Sequence, residues 1–247
     1  MIKGIIFDFG HTLFQLTADS EALSLAGATE MATWYLKKKH VKLDADALVA
    51  AFEAERKAGY ARAVETQTEV LAEECLRAAL KQIDAPASAG AFTEAAIKIY
   101  FGPAEAAWQP YPDAVATLQQ LHAAGYRLGL YSNVSDDKVV QRLINKAGLR
   151  PWLSPTFSSA GTGWRKPRPD GLQLIARRWG LEPAHIVMVG DSPEADIVAA
   201  HNAGMRGILV GVVAAAAEAP FKGGQSPIQP DATAARLSDL PGLLTQL

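Results

Sequence analysis

The sequence predicts a doubly wound parallel-sheet α/β core with an inserted α-helical unit, and three observations carry that expectation. Four short apolar runs rich in β-branched residues, at 4–9, 127–132, 185–190 and 207–210, each stop at polar or glycine residues, as buried parallel strands do. Helical patterns at 113–124, 136–147, 170–179 and 194–203 fall between or after them, and such alternation makes a parallel sheet with right-handed crossovers. Finally, the stretch from Leu16 to Trp108 has helical spacing throughout and no strand-like run.

Each element has a local reason. Most core helices open on acidic or small polar residues, and several stop at Gly125, Gly148, Gly180 or Gly204, where a left-handed C-terminal residue is easiest for glycine. The inserted segment, rich in Ala, Leu, Glu, Lys and Arg, divides into helices at 17–40, 44–64, 66–83 and 88–101. Pro110 and Pro112, in Trp-Gln-Pro-Tyr-Pro, mark the return to the core and one side of a hinge. The domains are therefore placed at 1–15 with 109–247, and at 16–108. After a loop-like stretch at 212–225, rich in Ala and Gly, residues 230–247 are expected to add a short edge strand and a final helix.

Composition narrows the function classes. A chain of 247 residues, 49% hydrophobic, can bury a substantial core without staples. A net charge of -2 and a pI near 6.2 provide no general attraction to nucleic acid or an anionic membrane. No apolar run approaches the roughly 20 residues of a spanning helix, and the N-terminus lacks a signal pattern. Cys75 is the single cysteine, which fits a buried, inert thiol in a reducing compartment. A soluble, cytoplasmic protein acting on a small molecule, as monomer or homodimer, is the expectation.

Ligands of doubly wound sheets sit beyond the carboxyl ends of the strands. Asp8 ends the first run, in Ile-Ile-Phe-Asp-Phe-Gly-His-Thr-Leu; Ser132 and Asn133 end the second; Lys166-Pro167 precedes a core helix; and Val-Gly-Asp-Ser-Pro-Glu-Ala-Asp, 189–196, supplies Asp191 and Asp196. Alone, each is as readily a turn or cap residue. Together they supply what a phosphoryl group needs: a nucleophile, oxygen ligands for a divalent metal, and donors around its oxygens. Mg²⁺ is satisfied by two carboxylates and a backbone carbonyl plus waters.

In this order the motifs resemble those of the haloacid dehalogenase-like (HAD) superfamily, with a Rossmann-like core, and the helical insertion resembles the cap of its C1 subgroup. The resemblance implies a Mg²⁺-dependent hydrolase, most simply a phosphomonoesterase of small phosphorylated metabolites. It implies that Asp8 attacks phosphorus to form an aspartyl phosphate, that Ser132 and the Asn133 amide hydrogen-bond the phosphoryl group, and that Lys166 pairs with nucleophile and substrate. It further implies metal ligation by Asp8, the Gly10 carbonyl and Asp191, with Asp196 orienting a metal water or Lys166. Thr12 is expected to secure the turn after Asp8.

One position departs from the pattern. Family phosphatases usually carry an aspartate two residues after the nucleophile, and here that residue is Gly10. The missing carboxyl is the general acid-base, worth roughly 10²- to 10⁴-fold. His11 is a possible substitute; Glu194 and the insertion residues Arg56, Lys57, Arg62 and Glu65 are weaker ones. Two alternatives stay open: a dehalogenase- or phosphonatase-like hydrolase, and a catalytically impaired phosphate-binding or interaction protein. A receiver-type signalling domain, which uses similar strand-end residues, would not carry so large a helical insertion.

Overall fold

The computed structural model describes residues 1–40, 42–86, 90–211 and 228–247; the expected 212–225 loop and the first residues of the expected 88–101 helix lie outside these. The core is one six-stranded, all-parallel sheet in the order β5-β4-β1-β6-β7-β8, comprising β5 (Thr156–Ser158), β4 (Arg127–Ser132), β1 (Gly4–Phe7), β6 (Ile186–Gly190), β7 (Arg206–Val210) and β8 (Ala232–Ala234). The strands at the centre are apolar on both sides for a period-2 reason. Ile5, Phe7, Leu128, Leu130, Val187 and Val189 face one layer, packed with α5 (Ala114–Ala123), α6 (Asp137–Lys146) and α10 (Leu240–Leu244). Ile6, Tyr131, Ile186 and Met188 face the other, with α8 (Asp170–Trp179) and α9 (Val198–Asn202).

The helical unit has its own apolar cluster, in which Met31, Tyr35, Leu48, Phe52, Leu76 and Leu80 are fully buried. Its helices are α1 (Ser20–Lys39), α2 (Ala45–Thr66), α3 (Ala72–Gln82) and α4 (Ala91–Ala107). Asp19 and Asp44 cap the first two, accepting from Ala22 N at 2.8 Å and Asp46 N at 3.0 Å. Cys75 is buried in the same cluster, and burial pushes its thiol above the ordinary value.

Three features differ from the sequence expectation. Helix α3 starts at Ala72 rather than 66, because Gln67 turns left-handed (φ 52°) and leaves 67–71 as a loop. Helix α4 continues through Pro103 to Ala107; it lies so close along α1 that a Cβ on Gly27 would meet Tyr100 O at 2.0 Å, and this packing outweighs the local breaking tendency of proline. The last expected core helix is split into a π-helical turn, Pro193–Ile197, and α9. Three strands and the one-turn helix α7 (Ser159–Thr162) were also not foreseen: the edge strand β5, and β2 (Phe14–Leu16), which pairs antiparallel with β3 (Trp108–Pro110) in a two-stranded ribbon that carries the chain into and out of the helical unit. The short edge strand and final helix are present as β8 and α10.

Candidate active site

Asp8 lies one residue past β1, and its N–H donates to Val189 O at 2.9 Å, locking it to the end of β6. Phe7 sits level with both Leu130 and Val189, so the carboxyl ends of β4 and β6 bring Ser132 and Asp191 to the rim that Asp8 occupies. Lys166 arrives from the loop before α8 with its side chain almost fully buried. Its Nζ donates to Asp8 Oδ1 at 2.6 Å, Asp196 Oδ1 at 2.6 Å and Tyr131 O at 3.0 Å. All three ammonium protons are thereby used.

The approach of Asp196 depends on a glycine. A Cβ on Gly190 would stand 2.2 Å from Asp196 Cγ, so only a residue without a side chain lets the π-helical turn fold its carboxylate back to the strand end. Asp196 Oδ2 accepts from Ser192 N at 3.0 Å; both of its oxygens therefore hold protein donors. Asn133 is bound at both ends of its carboxamide, accepting from Lys166 N at 2.9 Å and donating to Lys166 O at 3.0 Å. It clamps the backbone that presents Lys166, a role its position beside Ser132 did not announce.

The electrostatics follow from burying these charges together. Desolvation pushes the Asp8 carboxyl up to about 7, against the pull of Lys166 and with Asp196 adding to the push. Burial and the neighbouring Asp196 also raise Asp191, partly offset by His11. Burial pulls the Lys166 ammonium down, yet Asp196 and Asp8 more than offset this and hold it above its ordinary range. Oxygens of Asp8, Asp191 and Asp196 lie within 4.8 Å of one another. When ionised, three carboxylates face one ammonium, so this set of hard oxygen donors fits a divalent cation such as Mg²⁺.

The site opens into a cavity of about 440 Å³ whose lining includes Asp8, Gly10, His11, Ser132, Asn133, Lys166, Asp191 and Asp196. His11 turns left-handed (φ 55°) and its ring meets Trp108 edge to face at 5.5 Å between centroids. Of the insertion residues considered as substitute acids or bases, neither Arg56, Lys57, Arg62 nor Glu65 lines the cavity, and Glu194 does not either, among the described residues. The helical unit contributes Tyr60, Phe101 and Ala104 instead. The Thr12 hydroxyl is buried without a partner among the described residues. Backbone bonds tie the turn after Asp8, with Leu13 N and Phe14 N both donating to Phe9 O, at 3.0 and 2.9 Å.

A second connection was invisible in the sequence. The loop after α2 docks on the segment leading to Lys166: Glu69 N donates to Gly163 O at 2.9 Å and Arg165 N to Gln67 O at 3.0 Å. Buried Glu69 accepts from Arg165 Nη1 at 2.8 Å and Ser159 Oγ at 2.5 Å, and Arg165 lies 5.0 Å over the Tyr60 ring. Nothing in the acidic or basic residues of 16–108 marked Glu69 out from its neighbours.

This combination of parallel sheet, helical insertion and strand-end acids with a buried lysine places the molecule among hydrolases built on one scaffold. The haloacid dehalogenase-like hydrolase family model matches residues 2–204, and the chain belongs to that family. It is 37% identical over 102 residues to glyceraldehyde 3-phosphate phosphatase of Methanothermobacter thermautotrophicus, covering 41% of this chain and 45% of that one. It is 33% identical over 100 residues to phosphoserine phosphatase of Thermus thermophilus, covering 40% of each. Both matches thus span less than half the length of the relative. In fold, it is similar to the crystal structure of 2-haloacid dehalogenase from Pseudomonas syringae pv. Tomato DC3000 (TM-score 0.66, 23% identity, 100% of this chain and 99% of that one). It is also similar to a HAD phosphatase from Thermococcus onnurineus (TM-score 0.61, 20% identity, 98% of each chain). Among the described residues, no helix is long and apolar enough to cross a membrane.

Proposed function

We propose that this hydrolase is a Mg²⁺-dependent phosphomonoesterase of small molecules in which Asp8 is the nucleophile and residues 16–108 form a cap. The observation that supports it best is the buried Asp8–Lys166–Asp196 chain at 2.6 Å per link, set beside Asp191. An Asp8 oxygen forms the bond to phosphorus as the ester oxygen leaves, and water then cleaves the aspartyl phosphate, releasing phosphate and restoring Asp8. Lys166 holds the attacking carboxylate in place and offsets the charge of the transferring group. Ser132, at the end of β4, donates to a phosphoryl oxygen. The Asn133 carboxamide serves by fixing Lys166.

Asp8, Asp191 and the Gly10 carbonyl are the groups that would hold Mg²⁺, which supplies electrostatic neutralisation of the phosphoryl oxygens when bound. Asp196, occupied on both oxygens, anchors Lys166. Gly10 leaves no carboxyl to protonate the leaving oxygen, and His11 is the titratable side chain on the same turn that lines the cavity. The test is turnover of p-nitrophenyl phosphate with Mg²⁺. Asp8→Asn should lower it by at least about 10³-fold, and retention of activity in that variant would remove Asp8 from the mechanism. Carbon-halogen hydrolysis is the second reading, favoured by the absence of that acid; Asp8-dependent chloride release from a 2-haloacid without Mg²⁺ would select it.

A further inference from the structure

The cavity beside Asp8 joins charged groups to apolar side chains. Its lining includes Phe101 and Ala104 of α4, Trp108 of β3, and Val139 and Leu143 of α6, beside the polar Tyr60, Arg165 and Ser192. Trp108 is held by Phe9, edge to face at 5.6 Å between centroids, and Phe9 is stacked on Phe14 at 4.2 Å. A Cβ built on Gly10 would come within 3.2 Å of Trp108 Cη2. That contact is tight, so a side chain at position 10 would have to push the indole edge aside by a few tenths of an ångström. Val139 and Leu143, only 5% and 2% exposed, also line the cavity, so the core adds hydrocarbon to it as the helical unit does.

We propose that the site takes phosphomonoesters of hydrophobic, weakly basic hydroxyls, of the aryl or enol type, with the apolar body against Trp108, Phe101 and Leu143. The assignment rests on the phosphomonoesterase reading above. Where its body meets Phe101, Trp108 or Leu143, a sugar or hydroxy-acid phosphate would lack partners for its hydroxyl or carboxylate groups, Tyr60, Arg165 and Ser192 being the polar part of the lining, and its alkoxide would have to leave without a proton from position 10. An aryl ester avoids both costs. The Asp8–phosphorus bond forms, the phosphorus–oxygen bond breaks with its electron pair on the aryl oxygen, and the aryloxide takes its proton from water afterwards.

The test combines binding and turnover on the full chain with Mg²⁺. Calorimetry with benzylphosphonate and methylphosphonate, which cannot be hydrolysed, should show the first binding at least about tenfold tighter. Ala104→Asp, a half-buried position on α4, should erase that preference. Likewise, kcat/KM should favour 1-naphthyl phosphate over acetyl phosphate, which has a good leaving group but little apolar body. Equal affinities for the two phosphonates, or a preference that survives Ala104→Asp, would overturn the assignment while leaving Asp8 chemistry intact. If neither ester is turned over in an Asp8-dependent way although benzylphosphonate is preferred, the phosphatase reading falls, and the substrate assignment falls with it.

Discussion

At the carboxyl ends of β1 and β6, three carboxylates and an ammonium are gathered at one nearly buried spot, whereas α1 to α4 bury chiefly Ala, Leu and aromatic side chains. The sheet tolerates buried charge because its hydrogen-bonded strands fix where each group stands, so that the Lys166 protons meet the two carboxylates and a carbonyl. Without that geometry the desolvation cost would not be offset. The helical unit needs no such positioning for its own stability. What it contributes to the site is shape, through Phe101 and Ala104, and one buried anion, Glu69. In the proposed reading, the sheet carries the reacting groups, and the helical unit attached by the β2–β3 ribbon shares with α6 in shaping the cavity.

The largest effect should come from breaking the charged side of this comparison. Lys166→Met leaves Asp8 and Asp196 buried without their shared cation. It should abolish turnover and cost about 3–5 kcal/mol in urea unfolding without metal; a loss confined to activity would mean the chain of charges is not held as described. Next, the roles of Gly10 and Trp108 can be separated. Gly10→Asp alone should add little alkyl phosphatase activity, because its Cβ meets Trp108 at 3.2 Å. Gly10→Asp combined with Trp108→Ala should raise kcat on alkyl phosphates by about 10²-fold. Equal gains in the single and double variants would show that the indole does not obstruct position 10.

On the helical side, Glu69→Gln weakens the bond to Arg165 and so loosens the loop that presents Lys166. The expected cost is about 1–3 kcal/mol in stability, with a rise in KM exceeding any fall in kcat. A change in kcat alone would place Glu69 closer to the chemistry. The charged side can also be probed by pH. Folding raises the Asp8 carboxyl from its ordinary 3.8 to about 7, so in this window the folded chain binds more protons than the unfolded one. The metal-free protein should therefore lose stability as pH rises from 3.8 to about 7, and Asp8→Asn should flatten that part of the Tm profile.

Much of the core was legible because its signals are local. Apolar runs broken at Asp8, Ser132 and Gly190 place strand ends, and a parallel sheet aligns strand ends on one rim whatever the loops do. The edge strand β5 was missed, being only three residues long and paired on one side. The ribbon was missed because neither Phe14–Leu16 nor Trp108–Pro110 has a pattern of its own; each is a strand only in the presence of the other. Asn133 was placed correctly at the rim, but its partner is the backbone of Lys166, 33 residues away, which no spacing rule reveals.

The sequence by itself determined the order of strand-end groups, the helical character of 16–108 and the absence of a carboxyl at position 10, since these depend on residue type and near neighbours. Only the tertiary structure decided that Asp196 folds back over Gly190, that Glu69 reaches Arg165 across 96 residues of chain, and that the Trp108 edge comes close to position 10. Those relations come from the packing of two layers against each other, and side chains distant in the chain meet only once the sheet and the ribbon have fixed the path between them.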